Sequence, residues 1–103
     1  MPILSAERIR HQVVFTLKHA AGSDAEADFL RAIAALEPIP GVEAFELMRE
    51  VSPKNEFRFG LTMEFSDPTA YATYNGHPDH VEFVQRRWGR EVASFLEIDT
   101  TAL

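Results

Sequence analysis

From Phe57 to Phe65 the chain sets Phe57, Phe59, Leu61, Met63 and Phe65 against Arg58, Gly60, Thr62 and Glu64. A period of two is the mark of a β-strand with one buried face. No other stretch restricts the fold as strongly, because an unbroken row of large apolar side chains requires a layer packed against it. Ile9 to Lys18 repeats the pattern, with Ile9, His11, Val13, Phe15 and Leu17 on one face and Arg10, Gln12, Val14, Thr16 and Lys18 on the other. Val42 to Val51 alternates less cleanly: Phe45, Leu47 and Val51 fall on one side, Val42, Ala44 and Met48 on the other. A strand apolar on both faces is usually covered on both. Ala93 to Thr101, carrying Phe95, Leu96 and Ile98, closes the chain as a fourth strand.

Between the strands the period changes. Gly22 breaks the chain, Ser23-Asp-Ala-Glu26 reads as a capping box, and Phe29, Ile33 and Leu36 with Ala25 and Ala32 form a helical stripe. Pro38-Ile-Pro-Gly41 stops that helix, and Ser52-Pro-Lys-Asn55 is a turn. Asp67-Pro68 opens a short helix over Tyr71–Tyr74. Pro78, with no N–H and a fixed φ, suits the first position of a further helix running to Trp88, with His77 as its N-cap and Gly89 near its end. Val81, Val84 and Trp88 stand at i, i+3 and i+7 as its apolar stripe. At ~100° per residue, His80 borders that stripe about 70° from its centre. The order β-α-β-β-α-β predicts an α+β fold: a ferredoxin-like antiparallel sheet with its helices on one face, in a single domain over residues 1–103. The other face, with Val14, Gly60, Thr62 and one side of the second strand, is half apolar, and pairing with a second copy would cover it.

Composition narrows the partners. Hydrophobic residues make up 46% and charged residues 25% of the 103, a globular composition. No apolar run approaches the ~20 residues of a membrane span, and Met1 to Arg8 lacks the apolar core of a signal segment. A cytoplasmic location is the default expectation. Without cysteine there is no disulfide, thiolate metal site or cysteine nucleophile. A formal charge of −6, with the basic residues Arg86, Arg87 and Arg90 gathered late on a helix where they complement its dipole, argues against nucleic acid.

Several segments together resemble one family, the stress-responsive dimeric α/β-barrel (Dabb) domains. They are Ile9-Arg-His-Gln-Val-Val-Phe15, Ile39-Pro-Gly-Val42, Val51-Ser-Pro-Lys-Asn55, Tyr74-Asn-Gly-His-Pro-Asp-His-Val81 and Ile98-Asp99. The similarity spans roughly residues 9 to 99, and the tyrosine three residues before His-Pro-x-His is its most specific part. Phe57 to Gly60 departs from the more polar segment common there, and Gly89 is not a hallmark. The resemblance implies a homodimeric α/β barrel. One plant branch of the family cyclises linear polyketides by an aldol step with a tyrosine and the second histidine of this motif. By position those roles fall on Tyr74 and His80. Asp99 matches the acidic residue supporting that histidine, and His11 matches another pocket histidine.

Each candidate has a plainer reading beside the functional one. His80 would serve as general base with one nitrogen free and the other held by Asp99, or the pair would merely tie the last strand to the helix. Tyr74 would donate to a carbonyl or enolate oxygen, or pack as an aromatic with a satisfied hydroxyl. His11 is read first as a strand histidine bonded to a neighbour, His77 as a cap, and His19 as solvated. His77, Asp79, His80, His11 and Asp99 include metal-ligand types, but cap geometry splays the two helix histidines, and no metal is expected. No Gly-x-Ser-x-Gly or phosphate-cradling loop is present.

Two functions are consistent with these residues. The first is a cofactor-independent lyase, cyclase or isomerase, or simply a binder, for a small apolar carbonyl or aromatic compound. His80 removes a C–H proton and Tyr74 holds the oxyanion, with Asp99 behind the histidine. The substrate-binding walls come from Val13, Phe15, Phe29, Val84 and Trp88, with His11 beside them. The second is a non-catalytic stress-responsive protein whose dimer is its function. An open cavity reaching His80 favours the first, a filled core the second.

Overall fold

The computed structural model describes residues 7–103, so most of the stretch read for a signal segment lies outside it. The alternating segments become strands β1 (Ile9–Leu17), β2 (Glu43–Arg49), β3 (Phe59–Phe65) and β4 (Val92–Thr100). They pair in one antiparallel sheet of order β2-β3-β1-β4. The helical segments are α1 (Asp24–Ala34), α2 (Pro68–Gly76) and α3 (Pro78–Phe83). The last continues through a π-helical turn at Val84–Trp88 into a final turn α4 (Gly89–Glu91). This is the ferredoxin-like α+β arrangement that the order of elements predicts.

The helices start where capping chemistry places them. Ser23 accepts from the Glu26 amide and the Glu26 carboxylate accepts from the Gly22 amide, which satisfies two amides at the head of α1. Asp67 accepts from Ala70 at the head of α2, and His77 Nδ1 accepts from the Asp79 amide at the head of α3. Gly41 turns the chain at φ 93°, a left-handed conformation that a side chain disfavours. In β2 the register slips between Glu43 and Glu46, and Ala44 takes a φ of 50°. That bulge explains the irregular alternation in the sequence.

The core lies between the sheet and the helices. Phe15, Met63 and Phe65 from the strands and Phe29 and Ile33 from α1 are fully buried. Burying each such side chain contributes roughly 1.5–3 kcal/mol. The stripe of the last helix differs from expectation. Val81 and Val84 remain 38% exposed, whereas Phe83 is buried against Phe29. The cause is the π turn, in which the Gly89 amide reaches back to the Val84 carbonyl. The extra residue in that turn rotates the end of the helix, and Trp88 meets Phe15 and Phe95 at ring separations of 5.1 and 5.4 Å.

Among the described residues, no helix covers the opposite face of the sheet. Leu96 and Ile98 of β4, opposite Val14 and Gln12 of β1, are about half exposed there. Beside them a shallow groove is lined by Val14, Met48, Val51 and Gly60.

Candidate functional site

Three elements converge at one end of the covered face. The register of β1 on β4 sets His11 directly opposite Asp99 and Val13 opposite Glu97. Directly opposed residues share a face, so both carboxylates stand on the helix side beside His11. The N-terminal part of α2 lays Tyr71 across them. His11 Nδ1 lies 2.7 Å from Asp99 Oδ1, the Tyr71 hydroxyl 2.8 Å from Asp99 Oδ2 and 3.0 Å from His11 Nδ1. Glu97 Oε1 is 3.4 Å from the same hydroxyl. A carboxylate only accepts, so His11 carries its proton on Nδ1 and Tyr71 donates to Asp99. Nε2 of His11 is left with the lone pair.

The break between α2 and α3 positions the other histidine. His80 Nδ1 donates to the Asn75 carbonyl at 3.0 Å, and its ring lies 4.4 Å from that of Tyr74. The backbone carbonyl fixes the tautomer, leaving Nε2 of His80 unprotonated. Burial holds the His80 imidazole below its ordinary pKa, and nearby His11 adds to this, against the opposing pull of the Asn75 carbonyl. Burial also pushes the Tyr74 phenol well above its usual range, with the charge of Glu97 a smaller cause. The Tyr71 phenol moves the same way through burial and then its bond to Asp99. Both phenols stay protonated at neutral pH and serve as donors.

These groups open onto a cavity of about 250 Å³. His11, Tyr74, Asn75, His80 and Glu97 supply its polar lining; Val13, Leu61, Phe83, Val84, Trp88 and Phe95 are among its apolar walls. Of the residues expected at a site, His80, Tyr74, His11, Val13, Val84 and Trp88 come together here. Phe15 and Phe29 do not line the cavity, being wholly buried behind it in the core. Asp99 does not hold His80 as expected: it bonds His11 and Tyr71, because strand register delivers it to His11 while Asn75 already occupies His80 Nδ1. His19 is not simply solvated, since its Nε2 lies 2.7 Å from Glu91 Oε1. Tyr71 and Glu97 went unrecognised in the sequence. Glu97 alternates in phase with Asp99 along β4, on the covered face, a signal that becomes legible only once β4 is known to pair with β1.

Among the described residues, His11, Glu97 and Asp99 could together hold a metal ion, their ligand atoms lying within 4.8 Å of one another. The His11–Asp99 contact is already a matched donor and acceptor, so it calls for no cation. His77 and Asp79 belong to the helix cap instead.

The model of the stress responsive A/B barrel domain, Dabb, matches residues 9–102. A Dabb-family protein of ferredoxin-like fold from Mesorhizobium loti is 54% identical, over 94% of this chain and 98% of its own, with a TM-score of 0.91. A dimeric protein of unknown function from Bacteroides fragilis is 18% identical, over 95% and 98%, with a TM-score of 0.72. A hydroxynitrile lyase from Passiflora edulis is 13% identical, over 96% of each chain, with a TM-score of 0.83. The last two are alike in fold alone. No curated protein matches the chain.

Proposed function

The chain belongs to the stress-responsive A/B barrel (Dabb) family, and on that premise we propose that its cavity binds a small, largely apolar carbonyl or aromatic compound and acts on it by cofactor-independent acid–base chemistry of the aldol-cyclase or isomerase kind. The observation that carries this reading is a cavity lined by a neutral histidine with one free nitrogen and by a buried phenol. His80 Nε2 takes a proton from the carbon beside the ligand carbonyl, and the Tyr74 hydroxyl donates to the oxyanion that forms. Burial supports both roles: it favours the uncharged imidazole as base and keeps the phenol protonated. The neighbouring aromatic walls suit an apolar ligand body.

Titration with enolisable β-dicarbonyl and aromatic ketones, followed by proton NMR of the imidazoles, tests the reading. The His80 resonances should move while those of His19, tied to Glu91 away from the cavity, stay in place. Tyr74→Phe should weaken such ligands by about 0.5–1.5 kcal/mol, the scale of one hydrogen bond. A broad panel that leaves His80 unmoved refutes the proposal.

The protein acts as a homodimer in this reading. The half-exposed Leu96 and Ile98 on the uncovered sheet face support it, as does the dimeric fold relative. Light scattering should give twice the 11.6 kDa chain mass. Dimerisation as the whole function remains the rival reading, favoured by that face, but it gives no role to the cavity.

A further inference from the structure

We propose that His11 is a second catalytic residue of the cavity, the acid that protonates the oxygen of the carbonyl being attacked, with Asp99 and Tyr71 as its positioning residues; the proposal rests on the acid–base reading above. His11 and His80 line the same cavity, and Tyr74 lies between them with ring separations of 6.5 and 4.4 Å. Their surroundings differ in the way an acid and a base require. Among the described residues, His80 has no carboxylate in hydrogen-bond contact with its ring, and its burial favours the free base against the weaker pull of the Asn75 carbonyl. His11 stands against Asp99 at 2.7 Å and Glu97 at 3.8 Å, so a proton added to its ring is met by two carboxylates. Environments that separate two like groups in this manner assign them opposite halves of one proton transfer.

The Asp99 bond and the Tyr71 hydroxyl together fix which nitrogen works. With Nδ1–H committed to Asp99, Nε2 is the atom left to exchange a proton with a ligand. In the bond-forming direction His80 Nε2 removes the proton beside one carbonyl, and Tyr74 holds the enolate oxygen. The enolate carbon adds to a second carbonyl carbon: one C–C bond forms, one C–O π bond opens, and its oxygen takes the proton from Nε2 of protonated His11. One proton has passed from His11 to His80, and solvent returns it. Cleavage of a β-hydroxyketone is the same path reversed, with His11 accepting the hydroxyl proton. The ligand class is therefore a neutral compound with a hydroxyl one carbon removed from a ketone. Glu97 at the cavity wall disfavours a carboxylate on it.

Two reactions separate the two histidines. Exchange of the α-hydrogens of phenylacetone for deuterium needs the base and the oxyanion donor; cleavage of the β-hydroxyketone of benzaldehyde and acetone, read as benzaldehyde formed, needs the acid group as well. His11→Gln should lower the ratio of cleavage to exchange at least about 100-fold, the size of a general acid–base contribution. His80→Gln should lower both together. Tyr71→Phe, a milder change, removes one of the bonds that orient Asp99 toward His11 and should lower the ratio of cleavage to exchange several-fold, with exchange unchanged. If wild-type protein catalyses exchange but not cleavage, or His11→Gln lowers both equally, or Tyr71→Phe leaves the ratio unchanged, the role of His11 is refuted while the His80 reading stands. If wild-type protein catalyses no exchange, both fail.

Discussion

The two faces of the sheet are built from the same strands and have opposite characters. On the covered face Phe15, Met63 and Phe65 are sealed under the helices, and that layer gives way to the cavity at its His11 end. On the open face Val14, Leu96 and Ile98 are equally apolar but face outward, with no layer over them among the described residues. Alternation alone makes the two faces distinct, but a helix packs on only one of them. The covered face therefore carries the stability of the subunit and its cavity, and the open face is the one on which the proposed second copy would pack.

The contrast can be broken from either side. Phe15→Ala opens a void in a fully buried aromatic cluster and should cost about 3–5 kcal/mol in chemical denaturation. Leu96→Ala on the open face should cost within about 0.5 kcal/mol when measured dilute; a large loss there would mean that this face is already part of the subunit core. Leu96→Asp should instead bring the light-scattering mass down to that of one 11.6 kDa chain, since an unpaired carboxylate would be buried in the dimer. A mass unchanged by that substitution would place the dimer contact elsewhere.

Smaller effects sharpen the covered face itself. Asp99→Asn replaces one of two acceptor oxygens with a donor facing either His11 Nδ1–H or the Tyr71 hydroxyl. The expected loss is about 1–2 kcal/mol, at the lower end for a mismatched polar group because water reaches Asp99. The smallest expected effect is the pH dependence due to His80. Its folded pKa lies below the unfolded value, so the unfolded chain binds the proton more readily. The contribution is whole above pH ~6.5 and is lost as pH falls from there through the lower folded pKa. Melting curves should show this as a fall in Tm on mild acidification, reduced in His80→Gln.

Phe59 to Phe65, the Ser23 and His77 caps, and the Pro78 break were all legible in the chain, because each depends on neighbours within a few residues. Their sum determined the β-α-β-β-α-β order and brought Tyr74 and His80 together across a short loop. Three things only the tertiary structure decided. The π turn moved burial from Val81 to Phe83, because Trp88 packs against Phe15 across the core. Strand register paired Asp99 with His11, not His80, a contact between residues 88 apart in the chain. Tyr71 joined them from a helix whose rotation is set by packing against Phe65. Local sequence encodes period, caps and turns; which side chains meet across elements depends on register and rotation, and those are settled when the whole core closes.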